Sequence, residues 1–345
     1  MTGPSQEQVS DVSDNGSRPA PGTAEVVRFD LLGPPVLSRS AVLRDEALRH
    51  DTARRSSRRA AARVLVVDAA GRAPVAWTGR APDGPWGMDT DGTARLVTVP
   101  TTGDAPPPPA VLLGEADGVA YWAVRDPAEL VPGEDPVDRA DLRSAGAALD
   151  ALGAGLLTTA VAVLNWHDTA RFCGRDGSRT HPRAAGWHRV CEAHGHEDYP
   201  RTDPAVICLV HDGADRVLLA RQPVWPEGRF SVLAGFVEAG ESLEACVLRE
   251  IHEEVGVPVR DVTYLGSQAW PFPRSLMVGF QALADMGAPL RPAEGEIAEA
   301  MWVTRTELRH ALAAGDWAGA EGSRLLLPGA VSIARAMLEA WAAVG

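Results

Sequence analysis

The chain has 345 residues, 45% of them apolar and 23% charged, which suits two or three globular domains with a sizeable core and excludes disorder over most of its length. Its 33 basic and 46 acidic side chains leave a net charge of −13, and every basic one is arginine. The lack of lysine excludes a Schiff-base mechanism and a Walker-type phosphate loop. The acidic balance argues against coating nucleic acid by bulk charge, double-stranded DNA included, but leaves room for a local site for one nucleotide or one RNA end.

Residues 1–25 are rich in Ser, Gly, Pro, Asp and Gln and read as a disordered tail, with no signal-peptide pattern. Residues 26–168 are expected to form a small α/β domain of short β-branched runs. In it, 111–113 and 119–124 flank an Asp117–Gly118 hairpin turn, and the proline run 106–109 is a stiff surface connector. No chemistry shows in this region, which reads as a scaffold or dimerisation domain. From 136 to 171 an Ala- and Leu-rich pattern predicts a long helix. Its apolar stretch, 151–164, is too short to span a bilayer and is expected to be buried, so no membrane partner is expected. Residues 169–202 form a loop bearing Gly, His and Cys. The four cysteines, Cys173, Cys191, Cys208 and Cys246, are too few for a disulfide framework, and a reducing cytoplasm is the expected location. From 203 to 345 come strands "AVICLV" and "RVLLA" around an "HDGAD" turn, a Gly-rich loop, a strongly patterned helix, further strands, and a C-terminal helix over 331–342.

The chemistry concentrates in 235–257, "GFVEAGESLEACVLREIHEEVGV". Glu241 and Ser242 precede its helical run, and Gly256 and Pro258 end it. Glu250, Glu253 and Glu254 stand at i, i+3 and i+4 and share one face, beside an apolar face of Leu248, Ile251 and Val255. Clustered carboxylates repel one another, and Arg249 can offset only part of that. Either they form a solvated acidic face, or they hold Mg²⁺ or Mn²⁺, hard cations that take oxygen ligands.

Gly235, Glu241 and the run Arg249-Glu250-Ile251-x-Glu253-Glu254-x-Gly256-Val257 resemble the Nudix box at each of its fixed positions. The resemblance implies an α+β protein whose C-terminal part is a mixed β-sheet sandwiched between α-helices. It also implies hydrolysis of a nucleoside diphosphate linked to another group. Carried over residue by residue, Glu250 and Glu254 are metal ligands and the Ala234 carbonyl completes the site. Glu253 is a further ligand or the catalytic base, and Arg249 orients the glutamates, with Glu241 a candidate partner. His252 is read as structural or solvent-facing, and Cys246 as a small core residue.

The segment 267–275, "SQAWPFPRS", is similar to the SQPWPFPxS signature of the NADH pyrophosphatase branch of this superfamily, with Ala269 in place of the first proline. By that resemblance Gln268, Ala269, Trp270, Pro271, Phe272, Pro273, Arg274 and Ser275 belong to the substrate site. Glu296, with Glu299 as its substitute, joins metal and substrate. Phe236 stacks on adenine across a homodimer interface, and Tyr199 and the Ala334 backbone touch the nucleotide. The branch's zinc ribbon, CxxC, fourteen residues, CxxC, falls on Cys173, Asp176, Cys191 and His194 within 169–202. Two thiolates fewer leave zinc binding open. His181, His188 and His196 are alternates or surface residues, and without zinc the packing of Phe172 and Trp187 must hold the loop.

The resemblance therefore implies hydrolysis of NADH or NAD⁺ to nicotinamide mononucleotide and AMP, and permits removal of NAD caps from RNA 5′ ends. Arg54, Arg55, Arg58, Arg59 and Arg63 either guide an RNA tail or form a solvated loop. Two other readings stand beside this one: a Nudix hydrolase for ADP-ribose or another dinucleotide, and a non-catalytic ligand sensor. The intact glutamates speak against the sensor.

Overall fold

The computed structural model describes residues 27–57, 62–79, 81, 93–101, 110–126, 138–317 and 324–344; the expected disordered tail, the proline run 106–109, Arg58 and Arg59 lie outside them. After two short helices, α1 (Glu46–His50) and α2 (Thr52–Ser57), the N-terminal region is β-rich. Its strands are β1 (Arg63–Val67), β2 (Ala73–Thr78), β3 (Thr93–Leu96), β4 (Val99–Pro100), β5 (Val111–Ala116), β6 (Val119–Arg125) and β7 (Arg139–Ala140). They form two sheets, ordered β4-β1-β6-β5 and β3-β2-β7. The β5–β6 hairpin turns at Asp117 and Gly118, as its sequence indicates, both at positive φ.

The single helix expected over 136–171 is instead β7, a short α3 (Leu142–Ala145) and the 19-residue α4 (Ala151–Thr169). The Asp150 carboxylate accepts from the Gly153 N–H at 2.6 Å, so a new helix starts there whatever the composition upstream. Leu156, Leu157, Ala160, Val161 and Leu164 of α4 pack against Leu65, Val67, Val111 and Leu113 of the sheet. A helix this apolar on every side is stable only when covered. No helix among the described residues is long and apolar enough to cross a membrane.

Near the end of α4, His167 is buried against the next segment, the sheet β8 (Thr180–Arg183), β9 (His188–Cys191) and β10 (Glu197–Asp198). Its Nε2 donates to the Gly186 carbonyl at 2.8 Å, and its Nδ1 accepts from Arg189 at 2.9 Å. Burial pushes its pKa from 6.5 down to about 4. The unfolded chain therefore binds a proton that the folded chain refuses. The contribution is whole above pH 6.5 and is lost as pH falls toward 4. Denaturant unfolding across that window should show stability declining with acid, and His167→Gln should flatten the decline; an unchanged slope refutes the assignment.

The C-terminal half is one mixed sheet of β11 (Asp203–His211), β12 (Arg216–Arg221), β13 (Leu233–Phe236), β14 (Val259–Trp270), β15 (Ser275–Ala284) and β16 (Glu299–Thr304). The order is β14-β15-β11-β12-β16, with β13 on β11; β11 and β15 run parallel and the other pairs antiparallel. Helix α5 (Leu243–Val255) covers one face, and α7 (Ile333–Ala343), with α6 (Arg305–Ala313), the other. The alternation along β11 shows why. Val206, Cys208 and Val210 pack with Cys246, Val247, Ile251 and Val255 of α5, while Ile207 and Leu209 pack with Ile333, Met337 and Trp341 of α7. This is the sandwich that the Nudix resemblance implies.

The chain crosses between the halves more than once. Phe29 belongs to the α7-side core, and its carbonyl accepts from Gln281 at 2.8 Å. Leu37, a few residues on, belongs to the N-terminal core. A boundary at 26 thus places on the N-terminal side a segment that packs on the C-terminal sheet.

Candidate active site

The box helix α5 is fixed at both ends by local chemistry. Ser242 Oγ accepts from the Ala245 N–H at 3.1 Å, and Gly256 caps the other end at φ 72°. With Cys246, Val247, Ile251 and Val255 turned into the core, Glu250 and Glu254 are carried toward β13. The fit with β13 is close: a Cβ on Gly235 would stand 1.9 Å from the Glu250 carboxyl carbon, so only glycine lets that carboxylate lie against the strand.

Glu254 is 3% exposed, and its Oε2 has no hydrogen-bond partner. Burial pushes its pKa up to about 8, helped by the charges of Glu250 and Glu296 and opposed by a hydrogen bond from the Ala234 backbone. Burial also raises Glu250, against the pull of Arg249. Two carboxylates held above their ordinary range therefore lie together, with the charge of the exposed Glu296 acting on both, and a buried group of this kind must either keep a proton or meet a cation. The donor set is oxygen throughout and includes an unsatisfied buried atom, which fits a hard divalent ion. Glu299, the substitute weighed for Glu296, is directed instead to Arg221, 3.9 Å away.

Arg249 ties the cluster together. Its Nε and Nη2 donate to the two oxygens of Glu241, both at 2.8 Å, and Nη1 donates to Glu250 and Glu253, both at 2.9 Å. A further bond reaches the Phe236 carbonyl at 3.0 Å. The forked contact holds the Glu241 carboxyl down to about 2. His252 is exposed and Cys246 is buried in the core.

Ala234 and Glu254 form part of the wall of an open cleft, with Trp270, Ala334, Trp225 and Trp317 around it. The sequence singled out neither tryptophan of the last pair, whose ring centroids lie 4.9 Å apart, nor Gln222 and Arg143, which also line the cleft. No local signal marks them, because they come from three separate segments of the chain.

Of the signature 268–275, Trp270 is the residue on the cleft wall. Phe272 stands edge-on to Trp270 at 5.0 Å and beneath the Arg143 guanidinium at 3.7 Å. Gln268 is buried, with its amide engaged at both ends: it accepts from the Leu37 N–H and donates to the Val331 carbonyl. Arg274 pairs with Asp203 at 2.8 Å, Ala269 and Ser275 sit in the β14–β15 ladder, and Pro271 and Pro273 shape the turn between. Phe236 and Tyr199 are 59% and 55% exposed and lie off the wall of this chain's own cleft.

In the ribbon, Cys173, Asp176 and Cys191 gather with His196, while the ring of His194 bonds to Asp176 from outside. His181 pairs with Glu192, and His188 lies beside Tyr199. Among the basic cluster, Arg54 pairs with Asp45, Arg55 donates to the Leu48 and Arg49 carbonyls, and Arg63 donates to Thr98. These donors are engaged within their own domain, which leaves them less to offer an RNA tail.

A mixed sheet between helices, with a capped glutamate helix directing carboxylates into a cleft, defines a Nudix hydrolase. The NUDIX domain pattern matches residues 201–323, and the NADH pyrophosphatase zinc ribbon domain pattern matches 168–199. The chain is 51% identical to the NAD-capped RNA hydrolase NudC of Mycobacterium tuberculosis over 319 residues, 92% of this chain and 97% of that protein. It is 42% identical over 205 residues to the mitochondrial NAD(P)H pyrophosphatase NUDT13 of Mus musculus, 58% of each chain. The chain belongs to the NADH pyrophosphatase branch of the Nudix hydrolases.

Proposed function

We propose that this protein hydrolyses the pyrophosphate bond of NADH and NAD⁺ to nicotinamide mononucleotide and AMP, and removes NAD caps from RNA 5′ ends at the same site. The observation that carries this is Glu254, buried with an unpartnered oxygen on the wall of an aromatic cleft and close in charge to Glu250 and Glu296. Glu250, Glu254, Glu296 and the Ala234 carbonyl would hold Mg²⁺ or Mn²⁺. Such an ion, when bound, neutralises a diphosphate and acidifies a water. The chain's own contribution is placement. Arg249 fixes Glu250 and Glu253, and Glu253, which solvent reaches, supplies a further oxygen ligand or the base for the water proton. Trp270, Trp225 and Trp317 offer flat faces to the rings of a dinucleotide.

The exposed rings of Phe236 and Tyr199 support a homodimer in which a second copy brings them to a cleft. All four cysteines are free, which supports a reducing, cytoplasmic setting.

The test is a parallel assay of NADH, NAD⁺, ADP-ribose and NAD-capped RNA with Mg²⁺ or Mn²⁺. AMP from NADH and a 5′-monophosphate RNA from the capped substrate are expected. Cleavage of ADP-ribose alone transfers the protein to the first alternative, and no cleavage of any substrate transfers it to the sensor.

A further inference from the structure

We propose that the ribbon's zinc ligands are Cys173, Asp176, Cys191 and His196, and that His194, at the motif position, is an outer partner that orients Asp176. The distances decide between the two histidines. With zinc bonds of about 2.3 Å to sulfur and about 2.0–2.1 Å to nitrogen and oxygen, tetrahedral ligand atoms lie roughly 3.3–3.8 Å apart. Cys173 Sγ to His196 Nδ1 is 3.5 Å, Cys191 Sγ to Asp176 Oδ2 is 3.3 Å, and His196 Nδ1 to Asp176 Oδ2 is 3.6 Å. All three are edges of such a tetrahedron, and ligand atoms from all four residues lie within 4.8 Å of one another. His194 Nδ1 to Asp176 Oδ2 is 2.7 Å, a hydrogen bond and too short for two ligands of one ion.

The backbone explains the choice. The Gly195 N–H closes a turn onto the Cys191 carbonyl at 3.0 Å, and the Cys191 N–H donates to the His196 carbonyl at 2.8 Å. Gly195 takes φ 68°, which a side chain resists, and the turn swings His196 back over Cys191 where β10 begins. His194 is left on the outside of the turn, with its side chain 62% exposed against 32% for His196. Asp176 is then held on both oxygens, by the Ser178 N–H at 2.8 Å and by His194, the arrangement that orients a carboxylate ligand. Apolar packing gives little substitute: Trp187 anchors to the Leu112 carbonyl outside the ribbon, and Phe172 is exposed.

Purified full-length protein, His194→Ala and His196→Ala are compared for zinc content and by zinc X-ray absorption. Wild type should carry zinc with two sulfurs and one imidazole. His194→Ala should keep that imidazole signal while losing about 10- to 100-fold in affinity against a chelator, the usual cost of an outer partner. His196→Ala should lose the imidazole signal, and His196→Cys, which restores a ligand, should bind zinc with a third sulfur. A wild type without zinc, an imidazole signal surviving in His196→Ala, or one lost from His194→Ala overturns the assignment. NADH hydrolysis by the same preparations reports on the Nudix site separately, so failure here leaves the proposed function standing.

Discussion

Glu254→Gln should abolish turnover and, in the metal-free protein, raise resistance to unfolding at alkaline pH. The carboxyl is buried with one oxygen unpartnered, and its folded pKa is about 8 against an ordinary 4.5. An unfolded chain ionises this group freely above pH 4.5, while the folded chain holds its proton until about pH 8. The contribution to stability is therefore full below pH 4.5 and is lost as pH rises through 8. Glutamine keeps the shape without the charge, so its gain over glutamate should grow across that window to the order of a few kcal/mol. Urea unfolding in chelator at pH 5 and pH 9 reads this directly. Turnover of NADH should fall at least about 10³-fold, which is about 4 kcal/mol in the barrier. Near-normal turnover sinks the metal assignment; equal stability of the two proteins at both pH values sinks the account of burial.

Gly235→Ala should separate activity from stability in the other direction, losing the first and keeping the second. The added Cβ would meet the Glu250 carboxyl group at 1.9–2.2 Å. That carboxyl is the far end of a flexible side chain, and it can swing aside with little disturbance to the strand. Gly235 also lies in β13 without a positive φ, so alanine meets no backbone strain. The expected result is a change in unfolding free energy of about 1 kcal/mol or less, with kcat reduced about 10²-fold or more by misplacement of a single ligand. A variant with unimpaired kcat shows that Glu250 need not lie against β13. Arg249, bonded to three carboxylates, sets the path that Glu250 takes when it is displaced.

What the sequence made legible was local. Helix α5 announces itself through Ser242, Gly256 and a 3.6-residue apolar period, and those same features place Glu250 and Glu254. The unbroken apolar run "AVICLV" likewise marks the strand β11. Less visible was anything that depends on contacts between distant segments. Asp150 restarts a helix inside a composition that looks uniformly helical. Gln268 sits in a motif that suggests ligand contact, yet its amide is used by Leu37 and Val331. Trp225, Trp317 and Arg143 meet at the cleft from separate parts of the chain. The ribbon spacing identified His194, but a turn at Gly195 presents His196; a motif counts positions and does not see which way a loop folds back.

The stack of Arg143 on Phe272, beside Trp270, has an evolutionary corollary. Arg143 belongs to α3 in the first half of the chain, and Phe272 and Trp270 belong to the signature turn in the second. The wall of the cleft is thus jointly owned. A drift in either half alters the shape of that cleft, so the two are expected to change in step, and the hydrolase module joined to a foreign front half would have to refashion its own entrance.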